Sequence, residues 1–156
     1  MAINPALYSS RSEEWPTPRD FFDTLNAEFT FTLDPCATPV NATCPIYFTK
    51  EEDGLLQDWG SHTVFCNPPY GRSMKRWAEK CLASARDGAT VVLLAHSRTD
   101  TRWFHDFVLG NAELRFVRGR LHFGDSPVPA PFPSMIAVFR PSLICPWRAD
   151  CVAARM

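Results

Sequence analysis

The sequence predicts an α/β domain built on a mostly parallel sheet, and three observations carry that prediction. Residues 63–66 and 90–95 are short, uninterrupted apolar runs of the kind buried on both faces of such a sheet. Between them Met74, Trp77, Ala78, Cys81, Leu82 and Ala85 recur at helical spacing and form one apolar stripe. Strand, helix, strand in that order is the crossover unit that joins parallel neighbours.

Residues 1–14 are polar and aperiodic and read as a flexible tail. Thr17-Pro18-Arg19-Asp20 reads as a helix start, with Thr17 as the cap, Pro18 in the first turn and Asp20 reaching back to the cap. Phe21, Phe22 and Leu25 share a face of the helix that follows, which should end near Glu28. Phe29 to Leu33 alternates as a strand does and stops at Asp34-Pro35. Residues 38–58 resist assignment apart from a short piece at Ile46-Tyr47-Phe48. The run from Thr63 to Cys66 is a buried strand, residues 73–86 a helix closed by Asp87-Gly88, and residues 90–95 the next strand. A helix over 99–108 would turn Trp103, Phe104 and Phe107 inward. Residues 113–117 and 120–123 read as strands around a turn at Gly119, and the proline-rich stretch 127–133 as an extended loop. Residues 134–139 are a last strand, expected to run antiparallel, and 141–156 a peripheral tail.

Length and composition set the bounds. With 156 residues, 46% apolar and 21% charged, the chain reads as one ordinary soluble domain. It opens on no signal-peptide pattern and contains no apolar run of about 18 residues, so a cytoplasmic location without membrane association is expected. The six cysteines are scattered without a Cys-x-x-Cys pair, so buried thiols are favoured over a metal site. The net charge of −1 hides an asymmetry. Residues 1–70 hold 3 Lys/Arg against 10 Asp/Glu and residues 71–156 hold 13 against 7, giving −7 and +6. The second half can therefore offer a basic face to a nucleic acid, although solvated arginines would look the same.

The chemistry concentrates in Asn67-Pro68-Pro69-Tyr70, directly behind the strand at 63–66. An exocyclic amine on a base or amide is a poor nucleophile because its lone pair is delocalised. Two acceptors, the Asn67 side-chain oxygen and the Pro68 carbonyl, would each take one N–H and turn the lone pair toward a methyl donor. Consecutive prolines fix φ near −65° and remove two competing donors. Tyr70 would supply a flat face for a base swung out of its duplex. The plain alternative is a strand ended by a proline turn.

In this order the pieces resemble the small phage-type, Dam-like DNA N6-adenine methyltransferases, which depend on S-adenosylmethionine. The likeness runs from about Trp15 to Arg140. It rests on Trp15-Pro16-Thr17-Pro18, Leu33-Asp34-Pro35-Cys36-Ala37, Asn41-Ala42-Thr43-Cys44-Pro45, Asp53-Gly54-Leu55, Asp58-Trp59, Phe65-Cys66-Asn67-Pro68-Pro69-Tyr70-Gly71, the stretch from Arg98 to His105, and the stretch from Arg115 to Phe123. The resemblance implies a small, trimmed Rossmann-like methyltransferase fold over residues 15–140 and methyl transfer to a flipped adenine in DNA. It implies that Asn67, Pro68, Pro69 and Tyr70 are catalytic and that S-adenosylmethionine is the donor. Thr17 and Pro18 would hold the donor's methionine portion, Asp34, Pro35, Cys36 and Ala37 its body, and Asp58 its adenine amine. DNA is the implied partner, in host cytoplasm if the chain is phage- or prophage-encoded, with monomer and weak dimer both open.

From their positions near strand ends, Arg72, Arg98, Arg102 and Arg120 are the candidates for DNA contact. One departure stands out: related enzymes follow the Asp-Pro pair with a glycine-rich turn, whereas Cys36-Ala37-Thr38-Pro39 contains no glycine. RNA or a protein glutamine as acceptor, and a chain that binds DNA or donor without turnover, are the alternatives.

Overall fold

The computed structural model describes residues 15–141, so the expected tails over 1–14 and beyond Pro141, with Cys145 and Cys151, lie outside the described residues. The elements in chain order are α1 (Arg19–Phe29), β1 (Leu33–Asp34), β2 (Ile46–Tyr47), β3 (Thr63–Cys66), α2 (Met74–Arg86), β4 (Thr90–His96), β5 (Glu113–Phe116) and β6 (Ser134–Phe139). They build one six-stranded sheet in the order β2-β1-β3-β4-β6-β5. β2, β1, β3 and β4 pair in parallel, and β6 runs antiparallel to both β4 and β5. The α/β class, the mostly parallel sheet and the reversed C-terminal strand all match the sequence expectation.

The pairing of β3 with β4 sets Thr63 opposite Thr90 and Cys66 opposite Leu93. β4 therefore runs three residues past the point where β3 stops, and Asn67 leaves the sheet beside it. Period-two alternation sorts the strand residues onto two faces. Leu33, Val64, Cys66, Val91, Leu93, Ala95, Met135, Ala137 and Phe139 share one core with the apolar stripe of α2. Phe65, Val92, Leu94, Ile136 and Val138 form the other with Phe22 and Leu25 of α1. With both faces covered, the apolar runs of the central strands are explained.

Four local expectations are corrected. Thr17 does not cap α1: Pro18 occupies that position and no side-chain cap bond is made. The alternating stretch 29–33 is mostly not a strand. Phe29 completes α1, Thr30 turns left-handed at φ 55° with its N–H donated to Asn26 O, and Asn26 Oδ1 accepts from Phe31 N at 2.8 Å. Phe29 and Phe31 then stack at 5.6 Å, so the alternation reflects a helix stop and leaves β1 only two residues. The helix expected over 99–108 is instead wound wide over Phe104–Val108, with Leu109 N donating to Phe104 O at 2.8 Å. Trp103 and Phe104 are buried there as expected. Residues 120–123 join no ladder. Ala130 N donates to Leu121 O and Gly124 N to Pro16 O, and the alternate prolines of 127–133 have no N–H to extend a strand pair.

Two contacts tie the periphery down. Arg115 on the edge strand β5 grips Glu28 at the end of α1 through two bonds of 2.7 and 2.8 Å, and also donates to Glu113. On the opposite side Gly54 meets β1's exit so closely that a Cβ there would lie 2.1 Å from the Pro35 carbonyl oxygen. The Gly54 carbonyl accepts from the buried Trp59 indole at 2.9 Å. Gly54→Ala should lower stability by about 3 kcal/mol through overpacking against backbone that cannot retreat. Urea denaturation checks this, and an unchanged midpoint would show that the loop yields.

Candidate functional site

β1 and β3 are neighbours, but the chain leaves β1 toward β2 and returns across it to reach β3. That reversal opens a crevice at the carboxyl ends of the strands, the usual ligand position in an open α/β sheet. A cleft of about 650 Å³ occupies it, within the size range of cofactor sites. Its walls come from Trp15 to Thr17, from the β1 exit and the segment up to Gly54, and from Asn67, Pro69, Ser73 and Trp77.

At the β1 exit Asp34 Oδ1 accepts from Cys36 N at 3.0 Å and Oδ2 faces Thr43 Oγ1 at 3.5 Å. Phe48 N donates to Asp34 O and Ala37 N to Phe48 O, holding the turn against β2. Burial outweighs these bonds and pushes the Asp34 carboxyl up to about 6. The turn without glycine is thus built from a carboxylate that bonds its own backbone and from small side chains. The close backbone approach comes from Gly54, in another segment. The sequence offered one signal for this, the Asp53-Gly54 pair.

Asn67 is held with its two amide ends in different environments. Nδ2 donates to Trp15 O at 2.6 Å and to Thr17 Oγ1 at 2.9 Å. Oδ1 is buried and has no hydrogen-bond partner among the described residues. A buried acceptor left open costs on the order of 1–3 kcal/mol, which an N–H from a ligand, or a water, would recover. Pro69 O accepts from Ser73 Oγ at 3.3 Å, which fixes the second proline to the start of α2.

Of the other expected residues, Thr17, Asp34, Pro35, Cys36 and Ala37 line the cleft, whereas Pro18 does not. Pro68 is buried within the motif. Asp58 is a correction: it is exposed, accepts from Gly60 N at 2.8 Å as a turn residue, and does not line the cleft. Asp53 and Lys50 line it instead, along with Trp15, Pro16 and Asn41, to which the sequence reading gave no role there. Tyr70 offers no open stacking face. Its ring is buried among His96, Phe123 and Phe132 at 5.0 to 6.3 Å, its hydroxyl donates to Leu94 O at 3.4 Å, and burial raises its pKa.

Of the arginines, Arg72 and Arg102 are exposed and make no ion pair among the described residues. Arg98 is paired with Asp100 at 3.3 Å, and Arg120 reaches Ala130 O at 3.5 Å. His96, behind Tyr70, has its pKa lowered to about 4, chiefly by burial. The described residues contain no cluster suited to a metal ion and no helix long and apolar enough to cross a membrane.

The family model for DNA N-6-adenine-methyltransferase (Dam) matches residues 6–148. The DNA N-6-adenine-methyltransferase of Haemophilus phage HP1 (strain HP1c1) is 27% identical over 140 residues, which span 85% of this chain and 81% of that protein. The putative methyltransferase YfdM of Escherichia coli (strain K12) is 35% identical over 65 residues, 37% of this chain and 71% of that protein. With the family model covering most of its length, the chain belongs to the Dam family of DNA N-6-adenine-methyltransferases.

Proposed function

We propose that this protein transfers a methyl group from S-adenosylmethionine to the exocyclic N6 of an adenine swung out of duplex DNA. The observation that carries the reading is the open Asn67 Oδ1, a buried acceptor without a partner among the described residues, at the edge of the cleft. An adenine amine is the donor it lacks. With one N–H on Asn67 Oδ1 and the other on the Pro68 carbonyl, the nitrogen is drawn from planarity and its lone pair faces the cleft. Neither oxygen is basic enough to keep the proton the amine gives up, so that proton leaves to water.

The cleft fits the donor in size and charge. S-adenosylmethionine supplies a methyl group on a sulfonium sulfur, a centre with an excellent leaving group. Asp34 and Asp53 line the wall with carboxylates suited to a cation, and Pro35, Cys36 and Ala37 would pack its body. Orientation and exclusion of water are what the protein must add. Tyr70 supports the motif from beneath through its bond to Leu94 O, a different role from an exposed stacking platform. Arg72, Arg102 and Arg120 are exposed and would meet phosphate, while Arg98 is paired with Asp100.

Asn67→Ala should keep donor binding and lower methyl transfer by about a hundredfold or more, since it removes an acceptor aimed at the reacting amine. Tritium transfer followed by nucleoside analysis measures this; label found in RNA or protein instead of DNA adenine would overturn the acceptor. Arg72→Ala and Arg120→Ala should weaken binding evenly across sequences, each flattening the salt dependence by about one contact's worth, while Arg98→Ala does less. Equal slopes for all four proteins would remove these residues from the interface.

The raised Asp34 carboxyl gives a pH signature. The folded state holds this proton more tightly than the unfolded chain, so Asp34 favours folding at low pH. That contribution is lost as pH rises from about 4 through about 6. Asp34→Asn should therefore be more stable than the parent at pH 8, by about 1–3 kcal/mol, in urea denaturation. In the parent, calorimetric donor affinity should fall as pH drops through about 6, where the carboxylate loses its charge, and the Asn variant should bind weakly at every pH. A parent affinity flat from pH 5 to 8 would exclude Asp34 from the donor's charge.

A further inference from the structure

We infer that Thr17 is a positioning residue for the acceptor: its hydroxyl, with the Trp15 carbonyl, locks the Asn67 amide so that only the oxygen can face the adenine. This rests on the proposed reaction and deepens it, because a role in packing the donor would not require any contact between Thr17 and Asn67.

The geometry leaves the amide one orientation. A backbone carbonyl can only accept, so the nitrogen must face Trp15 O at 2.6 Å. Turning the amide over would set oxygen against oxygen at that distance. Thr17 Oγ1, at 2.9 Å, takes the second amide hydrogen, so both donors are used inside the protein and Oδ1 alone is left open. The locking segment is itself fixed. Gly124 N donates to Pro16 O at 2.7 Å, and the Trp15 ring packs edge-on against Phe123 at 5.5 Å and Phe132 at 5.1 Å. Thr17 lies one residue ahead of the Pro18 cap of α1, so its hydroxyl makes no cap bond to the helix and is turned to Asn67. The bond joins two segments 50 positions apart in sequence and ties the chain ahead of α1 to the Asn67 amide.

The test uses Thr17→Val, which keeps shape and removes the acceptor, Thr17→Ser, which restores it, and Asn67→Asp, which lacks the amide nitrogen. Single-turnover and steady-state transfer to duplex DNA are measured alongside donor affinity by calorimetry and the Asn67 side-chain amide signals by NMR. Thr17→Val is expected to lower kcat about tenfold, the worth of one lost bond, with donor Kd and DNA KM within about twofold. Its Asn67 amide protons should shift and exchange faster, and Thr17→Ser should recover most of both. Asn67→Asp should be as impaired as Asn67→Ala, because its carboxylate would confront the Trp15 carbonyl. Thr17→Val with parental kcat and unchanged amide signals, a loss confined to donor Kd, or a fully active Asn67→Asp would each overturn the inference. Failure of the parent to methylate DNA would instead remove the reaction, and the amide signals would still decide the lock.

Discussion

Parallel pairing of the four-residue strand β3 on both sides decides where the chemistry of this protein can sit. Held between β1 and β4, β3 has no freedom to shift register without turning Val64 and Cys66 out of one core and Phe65 out of the other. Its last residue therefore delivers Asn67 to a fixed point beside the continuing β4. The β1 exit, the Trp15–Thr17 segment and the start of α2 are then arranged around that point. The fold positions Asn67 first, and the cleft is what remains between the segments that reach it.

Two buried polar groups in that cleft are incomplete in complementary ways. Asn67 Oδ1 lacks a donor, and Asp34 sits with its charge penalised by burial. Each lowers the stability of the protein alone, and each would be relieved by a partner of the right character, an N–H for one and a cation for the other. Both sit in the one cleft, which is the simplest explanation for why a compact domain tolerates them.

How much the sequence disclosed follows from how local each feature is. The strand, helix, strand unit from Thr63 to Ala95 was legible because period and burial agree over whole elements, and the Asn-Pro-Pro-Tyr motif because its backbone restriction is written in its own residues. The short strand β1 was obscured by Phe29-Thr30-Phe31, whose alternation serves a helix stop and an aromatic stack. Residues 120–123 looked like a strand, yet the Leu121 and Phe123 carbonyls are claimed by Ala130 N and Ser126 N of the loop that follows. The expectation for Asp58 rests on its place just before β3, and only the folding of the acidic loop over Pro35 brings Asp53 to the cleft. The role of Gly54 was hidden for the same reason, since the carbonyl it approaches lies 19 positions earlier. The burial of Tyr70 depends on Phe123 and Phe132, which no local pattern connects to it.

The bonds from Asn67 to Trp15 and Thr17 span 52 and 50 positions of sequence. Contacts of that reach are among the later ones to form, because the intervening loop must be ordered before they return any stabilisation. A chain that has collapsed around β3, β4 and α2 while its first segment is still loose would carry the full motif with its amide free to turn either way. Such an intermediate would be compact yet chemically silent, and the acquisition of activity would mark the final stage of folding, after the burial of the core.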